Sequence, residues 1–463
     1  MAKIEQLLID FGNFAWGPWL VILILGSGLY FLYLSRLLPF RYLGHSIALL
    51  RGKYDTETGP GDITHFQALS SALAGTIGMG NIAGVAVAIH IGGPGAVFWM
   101  WATAVVGIAT KFFTCTLAVM YRGKDSAGHI QGGPMYVIVE GLGERWRPLS
   151  IFFCVAGVVG CLPLFQTNQL VQTIREVVFI DRGWLDESQS FEFNLIAGLV
   201  LAATTASVIF GGLHRIAQVA SRLVPTMAAL YVGTAIFILV MNFEQVPYYL
   251  ALIVRDAFVG TAVAGGAIGT VIATGVRRGV FSNEAGIGTE AMAHGAVRTN
   301  EPVREGLVAM MGPIIDTLII CTATALIILI SGVWQNGDAN GVTLTAQAFE
   351  ASIPNIGIYI LVTCIVFFSV STIFSYSYYG SKCLGFLIGA DKQHLYNYVI
   401  VAMMIVASLL SLDAMVGLVD GAFALMAIPT TVSALLLSPR VMHAARLYFA
   451  KLDAVTEASE EAP

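Results

Sequence analysis

Long runs of apolar residues, each about as long as a helix that crosses a bilayer, dominate this chain. Polar and charged residues gather in the short segments between them. The pattern predicts an all-α polytopic membrane protein with about 11 transmembrane helices. Their expected ranges are 16–36, 66–90, 95–120, 150–174, 193–211, 224–242, 262–293, 306–332, 355–380, 395–411 and 418–438.

The order of these spans indicates an internal repeat. One initial helix is followed by five spans and then by five more, and an odd number of spans reverses the orientation of the second set. Two sets of opposite orientation are the pattern of an inverted-topology repeat. We therefore divide the chain into an extra helix and basic loop (1–60), a first five-helix repeat (61–245), a second repeat (246–440) and a cytoplasmic tail (441–463), the end of which is expected to be disordered.

Composition supports the membrane assignment and excludes several functions. The chain is 57% hydrophobic and 11% charged, whereas soluble domains are about 25% charged. No basic tract suggests nucleic acid, no Walker sequence suggests ATP, and no nucleophile and base are placed together as an enzyme would need. The six cysteines lack metal-ligand spacing and are expected to be small apolar core residues.

The distribution of positive charge predicts the orientation. Cytoplasmic loops carry an excess of Lys and Arg, and most of these residues fall on one side if the N-terminus is outside and the C-terminus is cytoplasmic. The residues on that side are Arg36, Arg41, Arg51, Lys53, Arg122, Lys124, Arg145, Arg147, Arg215, Arg222, Arg298, Arg304, Lys382, Lys392, Arg440, Arg446 and Lys451.

The first span of the first repeat contains an unusual density of glycine. Gly78, Gly80 and Gly84 lie within seven residues, beside Thr76 and Asn81. Glycine is costly inside a helix, so one interpretation is close packing of small residues between helices. The other interpretation is a broken helix. Its free carbonyls and side-chain oxygens would bind a hard cation, and the positive N-terminal end of the half-helix after the break would bind a carboxylate.

The matching span of the second repeat, from Gly265 to Gly288, is also rich in glycine. It carries Arg277 and Arg278, which either mark a pathway or snorkel toward water. Asn283 and Glu284, flanked by glycines, are candidates for coupling or gating.

Two further charges lie within spans. Asp316 is about ten residues into its span, which places it near mid-membrane, and Lys111 is similarly enclosed. They could form a structural ion pair, with each other or with the arginines, or they could couple ion and substrate movement. Asp413 and Asp420 flank a short turn and are expected to be solvated.

A polar stripe marks the span 355–380. Ser369, Thr372 and Tyr376 recur at helical spacing, with Ser371 beside them. Such hydroxyls either bond to carbonyls of their own helix or complete an oxygen shell for sodium. The polar cluster 166–169, which includes Gln166, is expected to face a cavity.

Several stretches of this chain closely resemble the alanine or glycine:cation symporter family. The matching stretches are 61–69 (GDITHFQAL), 76–84 (TIGMGNIAG), 92–101 (GGPGAVFWMW), 109–112 (ATKF), 132–136 (GGPMY), 278–286 (RGVFSNEAG) and 377–380 (SYYG). The resemblance as a whole covers nearly the entire chain.

The resemblance implies a leucine-transporter-like (LeuT-like) fold of 5+5 helices in an inverted repeat, preceded by one extra helix, in the cell inner membrane. It implies sodium-driven uptake of alanine, glycine or a related small neutral amino acid. The substrate residues that it implies are Thr76, Gly78, Gly80, Asn81, Gln166, Gly275, Thr372 and Tyr376. The sodium ligands that it implies are the carbonyls of Ala74 and Ile77 with Ser371 and Thr372.

Two departures from the family stand out. Tyr376 occupies a position where family members often have Trp, which changes the expected pocket size. The residues Thr289 to Met292 replace a stretch of small residues and Pro. A proton-coupled symporter using Asp316 or Glu284 is the alternative within transport, and serine or glutamine are alternative substrates.

Overall fold

The computed structural model describes residues 2–53, 59–180, 182–259, 268–335, 339–409 and 412–460. This part of the chain is mainly helical, with a short antiparallel hairpin of β1 (Gly123–Lys124) and β2 (Ile130–Gln131). The first helices are α1 Ala2–Ala15, α2 Pro18–Ser35, α3 Leu38–Arg41, α4 Leu43–Leu50, α5 His65–Thr76, α6 Val85–Gly92, α7 Gly95–Met120, α8 Pro134–Tyr136, α9 Arg147–Gly160, α10 Leu164–Thr173, α11 Ser190–Ile209 and α12 Gly212–Met241.

The second half has the same helical character. Its helices are α13 Val246–Val259, α14 Ile268–Asn283, α15 Thr289–His294, α16 Pro302–Ala309, α17 Met311–Pro313, α18 Thr322–Ser331, α19 Gly341–Ser352, α20 Gly357–Ile388, α21 Leu395–Leu409, α22 Leu412–Leu425 and α23 Ala427–Glu460. Turns of π-helix occur at Gly80–Gly84, Val137–Leu142, Ile174–Ile180 and Ile314–Cys321.

Within the described residues, eight helices are long and apolar enough to cross a membrane. A ninth candidate is the bent pair His65–Thr76 and Gly80–Gly92, whose parts meet at 54°. These helices confirm the all-α membrane fold and are compatible with eleven spans. The predicted span 262–293 begins, with Gly265 and Gly266, outside the described residues.

The N-terminal region differs from the sequence prediction. α2 occupies the range of the predicted first helix, but α1 precedes it and lies along α22. The two backbones approach closely, since a Cβ atom on Gly12 would lie 2.8 Å from the carbonyl oxygen of Gly417. At the other end, the tail predicted to be disordered is helical as far as Glu460.

The break between α5 and α6 lies at residues 77–79, within the predicted segment. α5 begins at a capping box in which the Thr64 hydroxyl accepts the amide of Gln67 and the Gln67 side chain accepts the amide of Thr64. It ends because Ile77 is extended, with ψ 96°, and the chain resumes at Gly80 as π-helix. The glycine pattern therefore located this break correctly.

The second break lies at the C-terminal end of the glycine-rich segment Gly265 to Gly288 that the sequence singled out. α14 is continuous through Gly275 to Asn283, so the chain is not unwound at Gly275, which the family resemblance places in the substrate pocket. The helix ends because Glu284, Gly286 and Gly288 have φ values of 55°, 86° and 100°, which an α-helix does not permit. The chain becomes helical again at Thr289.

Candidate functional site

The two breaks lie beside each other in the core. The side-chain amide of Asn81, after the first break, donates to the Ser282 hydroxyl at the end of α14 over 3.2 Å. A Cβ atom on Gly80 would lie 3.5 Å from the Cα atom of Ser282. Asn81 also accepts the Gly78 amide on its Oδ1 atom at 2.8 Å, which fixes its side chain. The unwound backbone of one helix therefore faces the end of the other.

Asp316 joins these segments from the π-helical turn Ile314–Cys321. Its Oδ1 atom accepts the Asn81 amide at 2.7 Å, and its Oδ2 atom accepts the hydroxyls of Ser282 and Thr317, each at 2.7 Å. The carboxylate is buried. Three donors are therefore directed at one buried acid, an arrangement that stabilises a negative charge.

Lys111 does not pair with Asp316. Among the described residues it forms no ion pair within 4 Å with a carboxylate, although it is buried on α7. Asp316 likewise contacts neutral donors rather than the arginines. The sequence-based suggestion of an ion pair between these residues is wrong, because the breaks bring polar side chains to Asp316 from two other helices.

α20 approaches the first break through Thr372. A Cβ atom on Gly78 would lie 2.6 Å from the Thr372 hydroxyl oxygen, so only glycine fits there without movement. That hydroxyl donates to the Phe368 carbonyl at 2.9 Å. The Ser371 hydroxyl donates to the same carbonyl and lies 3.6 Å from the sulfur of Met227 on α12. Thr372 therefore lies against the break, whereas the Ser371 hydroxyl is turned toward α12.

The hydroxyl of Ser369 has a different environment. It is buried and has no hydrogen-bond partner in the described part of the chain. The remaining predicted sodium ligands, Ala74 and Ile77, lie at the end of α5 and in the break. Helix ends leave carbonyl oxygens without partners within the helix.

Tyr376 contacts the second break. Its hydroxyl donates to a carboxylate oxygen of Glu284 at 2.8 Å, and its ring stacks on Phe423 of α22 at 5.8 Å. The Thr289 hydroxyl donates to the other carboxylate oxygen of Glu284. These bonds hold Glu284 in its left-handed conformation, which is strained for a side chain with a Cβ atom.

Replacing Tyr376 by Phe is expected to leave the buried Glu284 carboxylate with one donor fewer. We expect the free energy of unfolding to fall by about 1–3 kcal/mol, the usual cost of an unsatisfied buried group. Thermal unfolding of purified protein measures this loss. Tyr33→Phe, which removes an exposed ring hydroxyl, is the control. Equal stability of the two variants would contradict the role given to the Tyr376 hydroxyl.

Two predicted substrate residues lie away from the contact between the breaks. Gly275 packs against α7, where a Cβ atom would lie 2.6 Å from the Cβ atom of Trp99. Gln166 is buried on α10. Asn283 lies at the end of α14, where its Oδ1 atom accepts the amide of Ala285 at 3.0 Å.

A cavity of about 310 Å³, which we call the vestibule, opens on the side that the positive-charge count predicts to be outside. Its lining residues are Gly80, Ala83, Gly84, Val87, Phe165, Gln169, Gln172, Thr173, Glu176, Val177, Arg278, Phe281, Asn340, Gly341, Val342 and Thr343. Gly80 is the predicted substrate residue among them. A chain of aromatic rings leads from the cavity wall toward the second break. In this chain Phe165 contacts Phe281, Phe281 contacts Phe423, and Phe423 contacts Tyr376.

The opposite end of the broken helices is tied together by backbone contacts. Ile63 pairs with Val297 as a parallel bridge, and the Arg298 amide donates to the Ile63 carbonyl at 2.7 Å. The Arg122 guanidinium donates to four carbonyls of the same two segments. The acceptors are Pro60 at 2.9 Å, Gly295 at 2.8 Å, Thr299 at 3.2 Å and Val297.

A buried triad reinforces this end. The Glu305 carboxylate on α16 bonds through one oxygen to His65, at the start of α5, and through the other to His294, at the end of α15. No sequence pattern pointed to Arg122, His65, His294 and Glu305 as a group. His65 and His294 each lie at the end of a broken helix that is farther from the vestibule, but the acid that joins them could not be distinguished from a loop charge by sequence.

Comparisons with known proteins agree with this architecture. The model of the sodium:alanine symporter family matches residues 1–462. The chain is 39% identical to a sodium/alanine symporter, AgcS, of Methanococcus maripaludis, over 92% of this chain and 93% of that protein. It is 35% identical to a probable sodium/glutamine symporter, GlnT, of Bacillus subtilis, over 97% and 91% of the two chains.

A solved structure shares the fold. MhsT in complex with L-phenylalanine superposes with a TM-score of 0.56 at 11% identity, covering 82% of this chain and 89% of that one. This likeness agrees with the LeuT-like fold that the family resemblance implies. The match of a family model over nearly the whole length shows that this chain belongs to the sodium:alanine symporter family.

Proposed function

We propose that this protein is a sodium-coupled symporter that imports alanine, glycine or both by alternating access across the cell inner membrane. The observation that carries the proposal is the meeting of two unwound helices against α20, with Gly78 in contact with the Thr372 hydroxyl. Unwound backbone at membrane depth, buried in protein, is where secondary transporters of this kind hold ion and substrate.

The proposed sodium site uses the carbonyls of Ala74 and Ile77 with the hydroxyls of Ser371 and Thr372. Oxygen ligands suit a hard cation. The contact of Thr372 with the first break supports this set. Ser371 would have to rotate its hydroxyl away from Met227 to join it.

The proposed substrate site lies between the breaks. The substrate carboxylate would meet amides near Gly78 and Gly80, and the ammonium would meet carbonyls of the segment after Asn283. The closeness of Asn81 to Ser282 supports a site of small volume, which suits a small side chain. Coupling follows if sodium favours the state that binds substrate, and the substrate must then tighten sodium equally.

Alternating access requires that one end be closed while the other is open. The vestibule opens toward the predicted outside, whereas Arg122 and the triad of His65, Glu305 and His294 join the helix ends on the predicted cytoplasmic side. We therefore assign the contacts of Arg122 and of the triad as the inner gate. With the N-terminus outside, the described conformation corresponds to an outward-facing state.

Arg122→Gln is expected to loosen this inner gate. Glutamine can reach fewer of the four carbonyls that the guanidinium bonds, so the segments 59–64 and 296–299 should open more often. We expect hydrogen exchange of the amides of Asp62 and Arg298 to accelerate about tenfold or more, the equivalent of about 1.4 kcal/mol. Arg147→Gln, which removes an exposed ion pair with Glu144, should leave this exchange unchanged. Exchange in Arg122→Gln equal to wild type would remove Arg122 from the gate.

Uptake by purified protein in proteoliposomes tests the proposed function. An inward sodium gradient should concentrate labelled alanine, and competition by glycine, serine and glutamine gives the selectivity. Accumulation driven by a proton gradient without sodium would favour the proton-coupled alternative with Asp316 or Glu284. Equilibration without concentration would indicate a channel, and chemical change of the substrate would indicate an enzyme.

A further inference from the structure

A second cavity, of about 640 Å³, lies on the side of the protein that the positive-charge count predicts to be cytoplasmic. We call it the basic groove. It is formed where α2 ends and α3 follows, beside the part of α23 that contains Met442. Three arginines line it, Arg36, Arg41 and Arg446, and no aspartate or glutamate is among its described lining residues. None of the residues proposed for sodium or substrate lines it, so the proposed transport does not account for it.

The three arginines have no protein partner for their charges. Among the described residues, none of their guanidinium groups forms a hydrogen bond or an ion pair within 4 Å. Arg277, by contrast, forms an ion pair with Asp420 at 3.6 Å and lies over the ring of Trp16. Asp420 is therefore buried and paired, not solvated as its position in the sequence suggested; the side chain of Asp413 lies outside the described part.

The turn that brings Arg36 to the groove is unusual. Arg36 and Leu37 have φ values of 51° and 60°, a left-handed conformation that residues with a Cβ atom disfavour. The Arg36 amide donates to the Tyr33 carbonyl at 3.1 Å, and the Leu37 amide donates to the Leu32 carbonyl at 3.2 Å. α2 therefore ends in a Schellman motif in which an arginine occupies the position where glycine is most common. The chain has a charged side chain here although the backbone favours glycine.

The inner part of the groove is apolar. Leu34, Leu38 and Met442 line it, and the ring of Tyr42 stacks on that of Phe449 with centroids 3.8 Å apart. Met442 and Phe449 are buried, whereas all three arginines are exposed. Apolar surface beside exposed positive charge matches an amphiphile, whose acyl chain covers the apolar part while its acidic headgroup meets the arginines.

The position of the groove points to a lipid as this amphiphile. Arg36 is the last residue of the predicted span 16–36, so its charge is expected at the level of the headgroups. Basic pockets between membrane helices on the cytoplasmic side bind the headgroups of anionic lipids. A zwitterionic lipid would bring an ammonium group to a groove without a described carboxylate, and free phosphate would leave the apolar part uncovered.

We propose that the basic groove binds one anionic phospholipid of the cytoplasmic leaflet. The arginines bond the phosphate, whose oxygens their planar donors match in bidentate geometry, and an acyl chain lies on the apolar part. The lipid links the extra helix α2 to α23. The site contains none of the proposed sodium or substrate residues, so binding there should not require sodium, and a failure of the proposed transport would leave this inference untouched.

Binding of defined lipids to the purified full chain in detergent tests the site. Native mass spectrometry should detect one tightly bound phosphatidylglycerol per protein, and phosphatidylethanolamine with the same acyl chains should not be retained. Each arginine near a membrane surface contributes about fivefold to binding of an anionic lipid, the equivalent of about 1 kcal/mol. We therefore expect Arg36→Gln, Arg41→Gln and Arg446→Gln to weaken binding about fivefold each, and about 100-fold in combination.

A second triple variant controls for general attraction to positive charge. Arg145→Gln, Arg215→Gln and Arg222→Gln together remove three exposed arginines from the same predicted face, and they should leave the affinity for phosphatidylglycerol unchanged. An equal loss in both triple variants would overturn the site, as would unchanged affinity in the groove variant. If size-exclusion profiles show that the groove triple variant is misfolded, the three single variants decide by the same comparison.

Labelling of an introduced cysteine locates the bound lipid. Ala450 is an exposed residue of the groove, and all six native cysteines are buried, so Ala450→Cys offers an accessible thiol over a low background. Phosphatidylglycerol at about ten times its dissociation constant should slow maleimide labelling about tenfold, since protection follows one plus the ratio of ligand to dissociation constant. Ala127→Cys, exposed elsewhere on the same predicted face, should show no protection.

Free anions provide the last comparison. Inorganic phosphate and glycerol 3-phosphate should not protect Ala450→Cys, because neither covers the apolar part of the groove. Protection by inorganic phosphate equal to that by phosphatidylglycerol would overturn the lipid and assign the groove to free anions. Equal protection by phosphatidylethanolamine would show that the arginines do not select the headgroup, and it would also overturn the proposal.

Discussion

Asp316→Asn is expected to reduce sodium-driven alanine uptake about 100-fold or more. The amide of Asn81 and the hydroxyls of Ser282 and Thr317 all donate to the carboxylate. The side chain of asparagine has one acceptor oxygen and one donor NH2 group. At least one of the three groups that donate to Asp316 would therefore face this NH2 group instead of an acceptor. Hydrogen bonds to charged groups contribute about 1.5–3 kcal/mol each, and about 3 kcal/mol corresponds to about 100-fold.

The initial rate of uptake in proteoliposomes, at equal amounts of inserted protein, measures this effect. Thr317→Val is the matched control, because it removes one donor and leaves Asn81 and Ser282 in place; we expect a smaller loss. Size-exclusion profiles show whether each variant is folded. A folded Asp316→Asn protein with wild-type uptake would show that the carboxylate is dispensable for transport.

Thr372→Ala is expected to raise the sodium concentration for half-maximal uptake about tenfold or more, since one contact removed from a site is worth about 1–3 kcal/mol. The hydroxyl lies against Gly78 in the first break, where the proposed ion would bind. Thr372→Ser keeps the hydroxyl and should restore most of the sodium affinity.

A control on the same helix separates this effect from a general weakening of α20. Thr363→Ala removes an exposed hydroxyl that donates to the Tyr359 carbonyl, and it should leave sodium dependence unchanged. If Thr372→Ala has the sodium dependence of wild type, Thr372 is not a sodium ligand.

The structure also changes the expected effect of Tyr376→Trp. The family resemblance places Tyr376 in the substrate pocket. If its ring closed over the substrate there, Trp would narrow selectivity toward glycine. In the structure the ring lies between the second break and Phe423, and its hydroxyl bonds to Glu284. Trp would remove this bond as well as add volume, so a change in the ratio of glycine uptake to uptake of larger amino acids should accompany a loss of stability.

Some properties of this protein follow from the sequence alone. Apolar runs predict the membrane helices because the bilayer requires about 20 apolar residues for each crossing. Gly78 and Gly80 indicate the first break because the cost of glycine in a helix is a local property of the chain. The family resemblance likewise rests on contiguous motifs, and the match of the family model confirms it.

Tertiary structure decided the position of the second break and the partners of the buried charges. α14 continues through Gly275 because packing against Trp99 and its neighbours supports it there. Glu284 takes a conformation that its own residue type disfavours, and bonds from Tyr376 and Thr289 hold it. Asp316 meets Asn81 across 235 positions of sequence, and no local pattern could predict that contact, because the energy of a buried charge depends on which donors the folded helices bring to it.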